Sequence, residues 1–208
     1  MWWTAFAGCE TPPYDRGEWP VWSAFPFDGE REWVYRSTDD ALPYLLVARS
    51  SGEGEVVDGG LAYTVRYETD CVTYSDTCTT GDVLASLTWS SDASAGVRVH
   101  AIDDVPLDPP VALAADDATE GDALVTESGG RSWTSTFAGV SSCPIAMAAS
   151  WPSCVQLEVA VDAGDGGVLA GTWWAADRSG VAGFTPSLAD GRWELTDSTC
   201  AGECDGTW

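Results

Sequence analysis

The chain contains no lysine, a single histidine (His100) and only two methionines among its 208 residues. All nine basic residues are arginines, whereas 33 residues are acidic, so the formal net charge at pH 7 is −24. A surface this acidic repels phosphate backbones, which argues against nucleic acid as a partner. It also repels anionic lipid headgroups, so contact with a membrane requires an anchor and not a charged face.

Long apolar runs and common catalytic motifs are absent as well. No stretch reaches 18 consecutive apolar residues, the shortest length expected of a bilayer-crossing helix. The sequence has no G-x-S-x-G, H-E-x-x-H, P-loop or G-x-G-x-x-G pattern. A Ser-His-Asp triad would depend on His100, which lies in a strand-like segment, and we expect its role to be structural. We therefore expect a protein that is not an enzyme.

Seven cysteines are present, and six of them form close sequence pairs. The pairs are Cys71 with Cys78, Cys143 with Cys154, and Cys200 with Cys204. The short spacing favours a local disulfide within each pair, which would indicate a compartment outside the cytoplasm. A zinc site is disfavoured because the chain has one histidine and no C-x-x-C, and free buried thiols are the other alternative. The odd cysteine is Cys9, which is then available for modification.

Cys9 ends the segment Phe6-Ala7-Gly8-Cys9. This segment resembles the lipobox of bacterial lipoproteins, in which a large apolar residue and two small ones precede the cysteine that becomes lipidated. Phe6 departs from the leucine that is usual at the first position. The resemblance implies that residues 1–8 are the remnant of a signal peptide and that a lipid on Cys9 holds the protein in the cell envelope. It leaves open whether the inner or the outer membrane carries the anchor, and a Cys9 that is free or paired is the alternative.

Alternating apolar and polar residues predict an all-β domain. In residues 61–68 the apolar positions are Leu61, Tyr63, Val65 and Tyr67, and residues 155–162 repeat this alternation. Segments rich in Gly, Asp and Ser separate such runs and predict turns. We expect about eight to ten short strands in an antiparallel barrel, half-barrel or sandwich cross-linked by local disulfides, with a short helix within residues 109–125. Residues 9–24 are predicted to be the lipidated cysteine and a tether, and residues 25–208 a single extracytoplasmic domain.

Two segments resemble parts of small bacterial lipoprotein domains of unknown function. Residues 25–38 resemble their F-P-x-x-G-x-x-W-x-Y opening, with three residues in place of two between Gly29 and Trp33, and residues 171–198 resemble their closing strands. The matching residues are Pro26, Gly29, Trp33 and Tyr35, followed by Trp173, Trp174, Gly180, Val181 and Leu195. Gly183 departs from the closing pattern. The resemblance covers about a fifth of the chain and implies a β-rich envelope domain.

The tryptophans and the acidic turns supply the remaining candidate sites. Of the 12 tryptophans we expect most in the core, but adjacent Trp173 and Trp174 must point to opposite faces of a strand, so one of them is a candidate for ligand binding. No cofactor is expected. Three acidic turns are candidates for weak calcium binding, although none matches an EF-hand loop. These turns contain Asp103 and Asp104; Asp116, Asp117, Glu120 and Asp122; and Asp162 and Asp165.

Together these features predict a lipid-anchored envelope protein, facing the periplasm or the outside, that acts as a binding or structural module. Its expected partners are the membrane, through the lipid, and a protein or carbohydrate of unknown identity. The alternative is a carrier or receptor that holds an apolar or carbohydrate ligand on an aromatic-lined sheet. A hydrolase that uses paired carboxylates ranks below both.

Overall fold

The computed structural model describes residues 21–38, 44–58, 60–71, 79–143, 153–162, 168–177, 179–186 and 192–201. For residues 44, 186, 200 and 201 the description covers the backbone alone. The lipobox-like segment with Cys9, most of the predicted tether, Cys78, Cys204 and Asp165 lie outside the described residues.

Twelve antiparallel strands make up nearly all of the described chain, which confirms the all-β prediction. They are β1 (Gly29–Ser37), β2 (Tyr44–Val57), β3 (Gly60–Cys71), β4 (Val83–Asp92), β5 (Gly96–Ile102), β6 (Val105–Ala114), β7 (Ala123–Ser128), β8 (Arg131–Ser141), β9 (Cys154–Val161), β10 (Gly171–Ala176), β11 (Gly180–Pro186) and β12 (Trp193–Ala201). Within these residues, no helix has the length and apolar character needed to cross a bilayer.

The short helix expected within residues 109–125 was a wrong prediction. This stretch contains the end of β6, a turn and the start of β7. Val111 and Leu113 are buried while Ala112 between them is partly exposed, so the apolar pattern has the period of two that belongs to a strand. The prolines at 109 and 110 further disfavour a helix interior.

The strands form one sheet that nearly closes into a barrel. Their order is β6-β5-β4-β3-β2-β1-β12-β11-β10-β9-β8-β7, so every two strands that pair are also consecutive in the chain, except β1 and β12. The edge strands β6 and β7 approach one another and complete the barrel. At this seam, the Ala112 amide donates a hydrogen bond to Thr126 Oγ1 (3.3 Å) and Ser135 Oγ donates one to the Leu113 carbonyl (2.7 Å).

Large side chains fill the interior of this barrel. In β9, for example, Val155, Leu157 and Val159 are buried, whereas Glu158 points outward. The largest fully buried side chains are those of Trp89, Trp173, Trp193, Tyr35, Tyr67, Phe25, Phe184, Leu46, Leu87, Leu113, Leu157 and Leu169. Each large apolar side chain that leaves water contributes about 1.5–3 kcal/mol, so this layer is the main source of stability.

Opposite walls of the barrel touch through their aromatic rings. Trp89 of β4 meets Trp173 of β10 edge-to-face, with ring centroids 5.6 Å apart. Tyr67 of β3 meets Phe184 of β11 in the same manner at 5.9 Å. Neither strand pair is adjacent in the sheet, so both contacts cross the interior. The barrel is therefore flattened, with its two walls packed against each other.

The disulfide predicted between Cys143 and Cys154 is present. Its Cα atoms are 4.9 Å apart, and it links the chain just after β8 to the first residue of β9. Cys71, at the end of β3, is also disulfide-bonded. Its predicted partner Cys78 lies outside the described residues, as does the side chain of Cys200 in β12.

Candidate functional site: an aromatic interior closed by an N-terminal segment

Residues 21–28, which we call the plug segment, precede β1 and pack into the barrel. Val21–Ala24 form a 3-10 turn, closed by a hydrogen bond from the Phe25 amide to the Trp22 carbonyl (3.0 Å). Val21 and Ala24 lie three residues apart on one side of this turn, and both are buried. The packed part of the chain thus includes Val21–Ala24, although the predicted domain began at residue 25.

The plug segment lies between the two walls at one end of the barrel. It contacts β4 and β5 on one side and β9 on the other. Ser23 Oγ donates a hydrogen bond to Asp177 Oδ1 (2.7 Å) in the turn between β10 and β11. The segment therefore fills the end of the barrel at which the β4–β5 and β10–β11 turns are located.

Two phenylalanines of the plug segment enter the aromatic interior. Phe25 stacks on Trp89 with ring centroids 6.1 Å apart, and Phe27 stacks on the same indole at 5.1 Å. Phe27 also meets Trp33 edge-to-face at 6.3 Å. Trp89 in turn contacts Trp173, whose ring stacks on Phe184 at 5.0 Å. The plug rings are thus the outer layer of an aromatic array that runs through the barrel.

Most polar groups in this array have backbone acceptors. Three donate hydrogen bonds of 2.9 Å to carbonyl oxygens: Trp33 Nε1 to Ser179, the Tyr35 hydroxyl to Val181, and Trp173 Nε1 to Leu169. Burial raises the pKa of Tyr35 well above its usual value, so this hydroxyl stays protonated. Trp89 Nε1 is different, because it is buried and finds no hydrogen-bond acceptor in the described part of the chain.

Serine hydroxyls fasten the plug segment to the barrel. Ser91 Oγ of β4 donates to the Trp22 carbonyl (2.6 Å), and Ser50 Oγ of β2 donates to the Phe27 carbonyl (3.0 Å). Among the described residues, no strand pairing includes residues 21–28. The segment is consequently held by ring packing and a few side-chain hydrogen bonds, and not by the hydrogen-bond ladder of the sheet.

The predicted ligand-binding pair, Trp173 and Trp174, does point to opposite faces of β10. Trp173 lies in the interior and is 1% exposed. Trp174 lies on the outer face but is only 8% exposed, because it packs with the Cys143–Cys154 disulfide and lies under the Arg192 guanidinium, 5.4 Å from its ring centroid. Neither ring is open to solvent, and the ligand-binding role of the pair stays a prediction.

His100 is hydrogen-bonded to Ser90, a residue that no sequence motif indicates. Its Nε2 lies 2.7 Å from Ser90 Oγ, and the histidine is 7% exposed. Nδ1 is buried and has no partner within the described ranges. Burial lowers the pKa of His100, with Asp58 opposing this shift and Arg98 adding to it. A neutral imidazole that is hydrogen-bonded to Ser90 through Nε2 fits this environment.

The acidic turns use their carboxylates to bind backbone amides. Asp103 Oδ1 accepts the Ser86 amide (2.8 Å), and Asp162 Oδ1 accepts the Ser132 amide (3.0 Å). Asp122 Oδ2 accepts both the amide and the hydroxyl of Thr119, and these hydrogen bonds lower its pKa. No three His, Cys, Asp or Glu side chains among the described residues are placed to hold a metal ion. Weak calcium binding stays a prediction.

This site is indicated only in part by the sequence. Phe25 and Phe27 fall in the opening motif and alternate just ahead of β1, which is a signal for burial, but the predicted domain boundary cut the plug segment in two. Ser50, Ser90 and Ser91 belong to no motif, because a serine that binds one carbonyl or imidazole needs no particular neighbours in sequence.

Comparisons with protein-family models, with curated proteins and with solved structures find no match to this chain.

Proposed function

We propose that this protein is a lipid-anchored module of the bacterial cell envelope with a binding or structural role, attached to the membrane through Cys9. The observation that carries the proposal is the oxidised state of its cysteines. Cys143 and Cys154 are joined in a disulfide, and Cys71 is disulfide-bonded as well. Such bonds persist mainly outside the cytoplasm. If the disulfides join cysteines of this chain in pairs, a total of seven cysteines leaves one without a disulfide. The lipobox-like segment indicates that this cysteine is Cys9.

The position of the plug segment supports this attachment. Val21 packs at one end of the barrel and comes twelve residues after Cys9. A chain of that length reaches at most about 40 Å. A lipid on Cys9 would thus keep the plugged end of the barrel near the membrane and leave the opposite end free for a partner. The charge of −24 disfavours nucleic acids and anionic surfaces as that partner.

A non-enzymatic role is supported by the environment of the one histidine. His100 and Ser90 are the pair that a hydrolase would most readily use, yet both are almost completely buried. Their hydrogen bond joins β4 to β5 next to the point where the register between these strands shifts. The bond therefore helps to hold the two strands together.

The carrier alternative is favoured by one specific observation. The aromatic interior is filled in part by Phe25 and Phe27, and these residues belong to a segment outside the sheet. Displacement of that segment would leave an aromatic surface without any change in strand pairing.

Peptide mapping by mass spectrometry without reduction tests the proposal. The gene would be expressed in bacteria with a functional lipoprotein signal ahead of Phe6, and the protein would be extracted from membranes with detergent. We expect an N-terminal peptide that begins at Cys9 and carries a diacylglyceryl mass, together with linked peptides for Cys143–Cys154 and Cys71–Cys78.

The matched control is Cys9→Ala, which should retain the disulfides but lose the lipid and leave the membrane fraction. Free thiols at Cys71, Cys143 and Cys154 in protein taken directly from cells would refute the envelope location. An unmodified Cys9 with intact disulfides would refute the anchor alone.

A further inference from the structure

We propose that the plug segment is a displaceable occupant of an aromatic binding site, whose ligand is a planar, apolar molecule with one hydrogen-bond acceptor. The inference rests on the carrier alternative above and is independent of lipidation at Cys9. It concerns the end of the barrel where Phe25 and Phe27 lie against Trp89 and Trp33.

The plug segment can leave without breaking the sheet. Its fastenings to the barrel include the hydrogen bonds from Ser50 and Ser91 to plug carbonyls and the bond from Ser23 to Asp177. Asp28, the last plug residue, is also held by Arg31 of β1, whose Nε donates to the Asp28 carbonyl (2.9 Å) and whose guanidinium pairs with the Asp28 carboxylate (3.6 Å). The segment is followed by Gly29, the first residue of β1, whose φ of 79° lies in the left-handed region that glycine adopts readily. Gly29 is therefore a natural hinge between a removable segment and a fixed strand.

The surface beneath the plug selects flat rings. Phe25 and Phe27 both lie nearly parallel to the Trp89 indole, with interplanar angles of 22° and 29°. A planar aromatic ligand can reproduce these stacked contacts, whereas a branched aliphatic chain cannot. Trp33 supplies a second ring that is roughly perpendicular to Phe27, at 71°. The stack on Trp89 and the edge of Trp33 together define a slot for a planar molecule.

Trp89 is the reason why the ligand should carry a hydrogen-bond acceptor. Its indole N–H is buried and has no acceptor among the described residues, an arrangement that costs free energy while the plug is in place. Neither phenylalanine of the plug can accept that proton through an oxygen or nitrogen atom. Because this N–H lies in the plane of the indole, the acceptor must lie at the edge of the ring and not over its face. A ligand that stacks off-centre on Trp89 and places a ring nitrogen, carbonyl or ether oxygen at that edge can accept the proton, which would favour it over the protein's own phenylalanines.

The first experiment loosens the plug without creating a cavity. Quinoline, a planar molecule with one acceptor nitrogen, would be titrated by calorimetry into the wild type and into Ser50→Ala/Ser91→Ala. Loss of one hydrogen bond shifts an equilibrium by about fivefold. Two losses should therefore raise the open fraction, and lower the apparent Kd for quinoline, by about tenfold or more.

Ser135→Ala is the matched control, because Ser135 Oγ also donates to a buried carbonyl, that of Leu113, but at the seam and not at the plug. We expect this variant to bind quinoline like the wild type. Equal affinities in the double serine variant and in Ser135→Ala, or no binding by any of these proteins, would overturn the proposal.

The second experiment removes the plug rings and reads out the indole directly. In Phe25→Ala/Phe27→Ala, quinoline should shift the Trp89 indole N–H resonance downfield, with the resonance assigned by its loss in Trp89→Phe. Naphthalene, which has the same shape and no acceptor, should bind without that shift. Identical spectral changes with both compounds would refute the role of Trp89. If this variant does not fold, the serine variants still decide whether the plug competes with a ligand.

Discussion

Removal of the Cys143–Cys154 disulfide should weaken the fold by an amount that follows from its position. The two cysteines are 11 residues apart in sequence, and a closed loop of this length corresponds to about 3 kcal/mol in the loop-entropy treatment. Trp174 belongs to the same buried cluster as the two cysteines, so lost contacts add to this figure. A typical domain is stable by only about 5–15 kcal/mol, which makes the bond a large contributor.

Urea unfolding of Cys143→Ala/Cys154→Ala, followed by tryptophan fluorescence, measures this loss. With an m-value of about 2 kcal/mol/M, the midpoint should fall by about 1.5 M. Ser142→Ala is the control, since Ser142 is an exposed neighbour in the same loop. Reductant added to the double variant then reports the remaining disulfides, that of Cys71 among them. A midpoint that matches the control, at an unchanged m-value, would refute the reasoning that loop closure stabilises this end of the barrel.

The structure also predicts how protonation of His100, substitution of Gly180 and ionisation of Tyr35 change the stability of the fold. Because the pKa of His100 is lowered in the folded state, its contribution to stability is fully present above pH 6.5, the pKa of an unperturbed histidine, and is lost as the pH falls below that value. The free energy of unfolding should decrease by at most about 1.4 kcal/mol per pH unit. Chemical denaturation between pH 5 and 8 should detect this pH dependence, and His100→Asn should reduce it. Gly180→Ala should cost about 2–4 kcal/mol in chemical denaturation, because Gly180 has φ of 89° and an added Cβ would lie 2.8 Å from Trp33 Nε1. Gly130→Ala, with φ of 73° and open space around it, should cost less in the same measurement. Burial raises the pKa of Tyr35, so its contribution is full below pH 10 and is lost above it; ultraviolet spectroscopy should find tyrosinate at this position only as the protein unfolds.

The pattern of the strands could be predicted because it reflects a local rule. In β9 every second residue points inward and is apolar, and the turns between strands carry Gly, Asp and Ser. The strands and the all-β fold class could therefore be predicted from the sequence. The Cys143–Cys154 pairing could be predicted as well, because only ten residues separate the two cysteines and each is the other's nearest cysteine in sequence. The segment around Val111 and Leu113 failed as a helix because short apolar runs suit either structure, and strand pairing with β5 decided the outcome.

The candidate site could not be predicted, since its contacts join residues that are distant in sequence. Ser91 binds the Trp22 carbonyl across 69 residues, and Ser23 binds Asp177 across 154. Such pairs depend on the closure of the whole barrel, which brings β4 opposite β10. Composition indicated that tryptophans would fill a core, but only the assembled walls determine that Trp89 receives the two plug rings and that its N–H is left without an acceptor.

The seam between β6 and β7 limits how this barrel can meet a partner. Three of the ten residues of β6 are prolines (Pro106, Pro109 and Pro110), which lack the N–H that an added strand would need. β7 is only six residues long, and short or proline-rich edges are the features by which sheets resist strand addition. The acidic surface opposes self-association further. Since the edge strands are protected, this protein should recognise a partner through surface side chains or through the aromatic interior. Displacement of the plug segment would expose that interior at the plugged end of the barrel.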